Sequence, residues 1–253
     1  MTVNDVRNEL IKQYEAQNFV TDKTGVKTIE IIGASFHANE PTIFASPNES
    51  YIQKELDWYL SQSLNVYDIE GKTPKIWCDV ADKDGNINSN YGYLIFSESN
   101  YEQYNAALTE LVANPFSRRA LMIYQRPTMH FDYCENGRSD FICTNAVQYL
   151  IRNDVLHVVV QMRSNDVVFG YRNDLAWQKF VAEKFLEDYR KATSSRIRDY
   201  QIHWNVGSLH LYERHFNYVT EEIFKRRHKA EAKELADRAF GNYVREVANH
   251  YEV

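Results

Sequence analysis

Apolar residues recur near the start of the chain at Val3, Val6, Leu10, Ile11 and Tyr14. Steps of three and four place them on one stripe, which predicts an amphipathic helix over residues 2–17. Lys27 to Phe36 is dense in β-branched residues and predicts a strand. Helical spacing returns over Glu49–Leu60 and Tyr101–Ala113, with a turn cluster between them at Asp82-Lys-Asp-Gly-Asn-Ile-Asn. Strand-like runs follow at Ala120–Met129, Phe141–Leu150, Val155–Met162 and Gln201–Tyr212. Leu175 to Ala192 is the strongest internal helix, with Leu175, Trp177, Phe180, Val181 and Phe185 at its apolar positions. No Gly/Ser-rich linker interrupts the chain and no internal repeat is visible. The pattern predicts one mixed α+β domain over residues 1–253, closing on a charged helical segment from about residue 217.

An apolar fraction of 44% and a charged fraction of 25% are those of an ordinary globular protein. The net charge of -6 argues against a general nucleic-acid binder but leaves room for a local phosphate site. No apolar run is long enough for a membrane span, and Met1 to Arg7 lacks the apolar core of a secretory signal. The expectation is a cytoplasmic protein with no direct nucleic-acid or membrane partner. Cys78, Cys134 and Cys143 are too few and too scattered for a disulfide framework or a zinc site. No metal is expected, and one thiol is free to be reactive.

The stretch Arg163-Ser-Asn-Asp-Val-Val-Phe-Gly-Tyr-Arg-Asn-Asp174 carries the most chemistry. An Arg-Ser pair suited to phosphate stands a short distance ahead of a carboxylate. Cys143 lies upstream in an apolar run, where a cysteine is usually a small core residue. Convergence of Arg163, Arg118 and Arg119 on it would instead lower its pKa and favour a thiolate. Glu55 reads as a surface carboxylate or as an acid/base. His210 and Tyr212 alternate along a strand and so share a face. Asp174, just before Leu175, also reads as a helix N-cap.

Six segments occur in an order that resembles the thymidylate synthase superfamily: Glu55-Leu-Asp-Trp58, Asn90-Tyr91-Gly92, Ser117-Arg118-Arg119, Cys143 with Gln148, Arg163-Ser164, and Gly207-Ser-Leu-His210-Leu-Tyr212. The resemblance spans roughly residues 20 to 216. Within the family it runs to the phage deoxycytidylate 5-hydroxymethyltransferases of the T-even type. Lys23-Thr-Gly-Val-Lys27, Lys75-Ile-Trp77, Trp204-Asn-Val-Gly207 and Asp174 carry that part.

The resemblance implies a homodimer with a mixed β-sheet, acting on a pyrimidine nucleotide with 5,10-methylenetetrahydrofolate. It makes Cys143 the nucleophile at pyrimidine C6 and Glu55 the general acid/base. Lys23, Arg163 and Ser164 would hold the phosphate, with Arg118 and Arg119 reaching in from the partner. Gln148 and Asn165 would join the nucleotide site, His210 and Tyr212 would bind the sugar 3′-hydroxyl, and Trp77 and Asp166 would face the folate.

Asp174 stands where uracil-specific members carry asparagine. An ionised carboxylate only accepts hydrogen bonds. It matches the C4 amine of cytosine and can stabilise a proton on N3, whereas uracil O4 would face it with a lone pair. Thr144 replaces the histidine that usually follows the nucleophile, and Arg172-Asn173 replaces a Pro-Phe pair. The short apolar C-terminal segment that closes over folate is not recognisable in Asn249-His-Tyr-Glu-Val253. These departures imply hydroxymethylation of dCMP rather than methyl formation, supplying modified cytosine for phage DNA.

Three alternatives stay open. They are a CMP hydroxymethylase, a methyl-forming synthase of altered specificity, and a non-catalytic nucleotide-binding protein. The charged C-terminal helix is a solvated face or a contact within a nucleotide-synthesis complex.

Overall fold

The computed structural model describes residues 1–22 and 25–251, with the side chains of 235, 236 and 238–251 left aside. Lys23 therefore lies outside the described residues, as do residues 252 and 253.

Helix α1 (Val3–Glu15) opens on a capping box: Thr2 Oγ1 accepts from the Asp5 amide, and the Thr2 amide donates to Asp5 Oδ2 at 2.7 Å. Its buried stripe is Val3, Val6, Leu10 and Ile11. Short β1 (Val20–Thr21) and long β2 (Lys27–His37) follow, then α2 (Glu49–Ser61), capped by the Asn48 side chain. Two one- to two-turn helices come next, α3 (Lys75–Val80) and α4 (Tyr91–Phe96), before α5 (Gln103–Ala113). Asn90 caps α4 and also donates to the carbonyls of Trp58 and Ser63, tying α4 to the end of α2.

The predicted strand over Ala120–Met129 is much shorter. Only β3 (Leu121–Ile123) pairs, because Pro127 cannot donate to a ladder and the chain turns into α6 (Met129–Asp132). Strands β4 (Thr144–Arg152) and β5 (Val155–Asp166) form a hairpin through Asn153 and Asp154, both at positive φ. Helix α7 runs from Gly170 to Thr193, and β6 (Asp199–Tyr212) leads to α8 (Phe216–Tyr251).

One six-stranded sheet results, in the order β1-β2-β6-β5-β4-β3. All neighbours are antiparallel except β5 and β6, which run parallel through the right length of crossover, α7. The α+β expectation therefore holds. Along β5, Leu156, Val158, Val160 and Met162 point into a core shared with α7, while His157, Val159, Gln161 and Arg163 face the other side. Trp58, Trp177 and Trp204 are fully buried in that core.

Two glycines permit close approaches that the site depends on. A Cβ at Gly92 would stand 1.8 Å from the Tyr59 carbonyl oxygen, so α4 can lie against α2 only because there is none. A Cβ at Gly207 would stand 2.8 Å from the Arg163 carbonyl oxygen, where β6 passes β5 beside the functional residues.

Candidate active site

Cys143 sits one residue before β4, not inside the strand, and is half-buried. Its carbonyl accepts from the Arg163 amide at 2.9 Å, which locks the two segments together. The Arg163 side chain folds back over this junction. Nε donates to the Ile142 carbonyl at 2.9 Å, one Nη to Phe141 at 2.5 Å, and the same nitrogen reaches Sγ of Cys143 at 3.5 Å. The guanidinium also covers the Phe141 ring at 4.8 Å.

Within one chain it is Arg163 that reaches the thiol, while Arg118 and Arg119 are expected to serve the partner's site. Arg118 and Arg119 are exposed, and Arg119 pairs with Glu110 at 2.9 Å within its own chain. Arg163 alone favours the thiolate, and it does not prevail. Burial pushes the Cys143 thiol up to about 11, with Asp174 and Asp140 adding to the rise. The lone chain thus holds a protonated cysteine at neutral pH.

Asp174 is not the N-cap of a helix. Helix α7 starts at Gly170, so Asp174 lies on its second turn, facing inward. The helix start is served by Asp166, whose carboxylate accepts from the Phe169 amide at 2.8 Å and the Gly170 amide at 3.4 Å. Asn165 donates from Nδ2 to Asp174 Oδ2 at 2.7 Å. Burial raises the Asp174 carboxyl to about 8, helped by the charge of Glu55, against the pull of Asn165 and the Tyr91 hydroxyl.

Glu55 is buried on α2 rather than exposed on the surface. Tyr51, one helical turn earlier, donates to Oε1 at 2.6 Å, and Trp77 Nε1 reaches the same oxygen at 3.3 Å. Burial raises the Glu55 carboxyl to about 7, while Tyr51, Trp77 and Arg172 hold it down. Trp77 packs edge-on against Trp58 at 5.1 Å, so it serves both as a wall and as a donor to Glu55.

His210 and Tyr212 share the expected face of β6, edge to face at 4.9 Å, and His210 stands opposite Asp166 across the parallel ladder. Burial raises the pKa of Tyr212, the charge of Asp166 adds to the rise, and Arg214 opposes it. Ser164 stands opposite Ser208 in the same ladder. Gln148 is used otherwise. Its amide donates to the Arg118 carbonyl at 2.7 Å and so props the segment ahead of β3.

Sequence reasoning missed Tyr51, Tyr91, Arg172 and Arg214 as members of this site. Tyr51 had a usable signal, standing four residues before Glu55 on a helix. Arg214 had none, since its guanidinium meets the Tyr212 ring at 4.1 Å only through the turn after β6. Arg172 lies over the exposed Phe169 ring at 4.8 Å and donates to the Ser46 carbonyl at 3.0 Å. Beside it a groove of about 250 Å³ runs between α2 and α7, walled by Ile52, Leu56, Leu175 and Phe180, with Lys179 at its rim.

A half-buried cysteine under an arginine, a buried Glu and an inward Asp therefore meet where β5 and β6 end. The thymidylate synthase family model matches residues 9–240. The chain belongs to the thymidylate synthase family. The deoxycytidylate 5-hydroxymethyltransferase of Enterobacteria phage T4 is 59% identical over 226 residues, covering 89% of this chain and 92% of that protein. The enzyme of the same name from Enterobacteria phage T2 is 59% identical over 220 residues, covering 87% and 89%. A thymidylate synthase of Fusobacterium nucleatum is 28% identical over 173 residues, covering 67% and 59%. Within this family the fold just described, a mixed six-stranded sheet with flanking helices, is the thymidylate synthase fold. Among the described residues no helix is long and apolar enough to cross a membrane.

Proposed function

We propose that this chain is a deoxycytidylate 5-hydroxymethyltransferase, converting dCMP, 5,10-methylenetetrahydrofolate and water to 5-hydroxymethyl-dCMP and tetrahydrofolate. The observation that carries the reading is Asp174, aimed inward from α7 and held by Asn165, in a chain that is 57–59% identical to T-even phage enzymes of that name.

Cys143 adds through Sγ to C6 of the pyrimidine, which makes C5 a nucleophile. The folate supplies a one-carbon unit at the oxidation level of formaldehyde. The carbon–nitrogen bond to the folate breaks as tetrahydrofolate leaves, C5 gives up its proton, water adds to the exocyclic carbon, and expulsion of Sγ from C6 restores the ring. Since the free thiol is held up to about 11, the thiolate must be favoured by the bound state. A proton on cytosine N3 makes C6 the better electrophile, so addition to the ring draws the sulfur into the adduct.

Asp174 accepts from the C4 amine and shares a proton with N3. Its raised pKa, about 8, suits a group that passes a proton to the base rather than standing as a fixed anion. Glu55, near 7, moves protons at the added water. His210 and Tyr212 take the sugar hydroxyl, and Ser164 and Arg163 take the phosphate.

The residues present suit a pteroylglutamate. Trp77, Phe169 and the groove between α2 and α7 offer flat apolar walls, and Arg172 and Lys179 offer cations for its carboxylates. Asp166 would bond the pterin with the lone pairs left after its three backbone contacts. Lys23 belongs to the phosphate set in this reading. Homodimerisation would use the outer sheet face, where Ile32, Leu121 and Ile123 are exposed, and would deliver Arg118 and Arg119 to the partner's phosphate site. Gln148, by holding the Arg118 backbone, would aim that delivery.

The test is to incubate the purified protein with methylenetetrahydrofolate and dCMP, dUMP or CMP in parallel. Mass spectrometry identifies the nucleotide product and absorbance reports dihydrofolate. Hydroxymethyl-dCMP without dihydrofolate is expected. A methylated product with dihydrofolate would move the protein to methyl formation, and equal turnover of CMP would remove the deoxyribose preference.

A further inference from the structure

Every hydrogen bond that the described residues make to Glu55 falls on one oxygen. Tyr51 donates to Oε1 at 2.6 Å and Trp77 Nε1 reaches Oε1 at 3.3 Å, while the same indole N–H donates to the Tyr51 oxygen at 3.0 Å. The three groups close a triangle, and Oε2 accepts from no described residue. Phenylalanine at position 51 would fill nearly the same volume without a buried hydroxyl to satisfy. The hydroxyl meets only Glu55 and Trp77, so it costs desolvation that packing alone would not demand.

We propose that Tyr51 is a positioning residue for the hydroxymethyl transfer, fixing Glu55 so that Oε1 is anchored and Oε2 faces the water that is added. The proposal rests on the reaction assigned above and names a residue outside the set that reading uses. Tyr51 and Glu55 lie one turn apart on α2, so the helix itself fixes their separation. Trp77 orients the phenol from the other side: because its N–H donates to the Tyr51 oxygen, the phenolic proton is free to point at Glu55. A donor on Oε1 stabilises the carboxylate and so opposes the rise caused by burial, which leaves Glu55 near neutrality and able both to take and to return a proton.

The experiment measures turnover of dCMP from pH 5.5 to 9.5 in the full-length protein, in Tyr51→Phe, and in a form with 3-fluorotyrosine at position 51. The fluorinated phenol keeps the shape and is a stronger donor. Tyr51→Phe is expected to lose roughly 10- to 100-fold in kcat with little change in KM for dCMP. Its acidic limb should move to higher pH, and that of the fluorotyrosine form to lower pH. A merely structural role would lower activity without moving the limb. Should Tyr51→Phe fold poorly, the fluorotyrosine form still decides. If the unsubstituted protein makes hydroxymethyl-dCMP and the limb stays fixed in the variants, the inference about Tyr51 is overturned alone. If the unsubstituted protein makes none, the assigned reaction fails first and this inference with it.

Discussion

Asn165 donates to Asp174 across 2.7 Å, and its own Oδ1 accepts from Trp204 Nε1 at 3.3 Å. The indole can only donate, so it sets which way the Asn165 amide points. The amide in turn occupies Asp174 Oδ2, and the Tyr91 hydroxyl is a second donor to the same carboxyl. A buried tryptophan thus sets the donor and acceptor pattern that a base would meet.

Asp174→Asn is expected to reverse the base preference. An amide offers a donor to uracil O4 and an acceptor for N3–H, and it cannot share a proton with cytosine N3. Turnover of dCMP should fall by at least about 100-fold, and dUMP should become a ligand. Parallel kinetics on the two nucleotides check this, and an unchanged preference would remove Asp174 from base recognition.

The two buried carboxyls give the ligand-free protein a pH signature. Glu55 and Asp174 are raised to about 7 and about 8, above their unfolded values near ~4. The native state therefore binds more protons than the unfolded state in this range. Their stabilising contribution is fully present below about pH 4 and is lost as pH rises through 7 and 8. Melting temperature should fall between pH 6.5 and 9, and Glu55→Gln and Asp174→Asn should flatten that slope. Equal slopes in all three proteins would show that the carboxyls do not carry this charge burden.

Cysteine reactivity should rank by exposure and by the Cys143 environment. Cys78 and Cys134 are exposed, whereas Cys143 is half-buried with its thiol pushed up to about 11. Iodoacetamide at pH 7.5 followed by peptide mapping should modify Cys78 and Cys134 first, with Cys143 at least about tenfold slower. Arg163→Gln should slow Cys143 further, because Arg163 is the cation that favours its thiolate. Preferential labelling of Cys143 in the unliganded protein would contradict the geometry.

Glycine substitutions separate scaffold from site. Gly92→Ala drives a methyl group into the Tyr59 carbonyl and should destabilise by about 3 kcal/mol. Gly207→Ala meets the Arg163 carbonyl less severely, costing about 1–3 kcal/mol, and should also weaken nucleotide binding by shifting Arg163. Denaturant unfolding and dCMP titration read the two effects, and full stability in Gly92→Ala would refute the close α2–α4 contact.

Much of this protein was legible in the chain. Periodicity located α1, β2, α2, α5, β5 and β6 within a few residues, because their apolar faces repeat at 3.6 or 2. Motif order located Cys143, Glu55, Arg163 and Asp174. What periodicity could not see was where local signals compete. The run Ala120–Met129 looks like one strand, yet only Leu121–Ile123 join the ladder with β4. Asp174 looks like a cap, yet Asp166 takes that role and α7 begins earlier, turning Asp174 inward.

The tertiary structure alone decided the electrical state of the site. Sequence supplied arginines and a cysteine, and adding their charges predicts a thiolate. Packing within one chain buries Cys143, Glu55 and Asp174 within reach of one another's fields and brings Arg163 to the sulfur. Desolvation then outweighs the one arginine that remains near the sulfur. Residue types and spacing fix which groups can react. Burial and neighbouring charge, which depend on residues far apart in the chain, fix which of them are ionised before a ligand arrives.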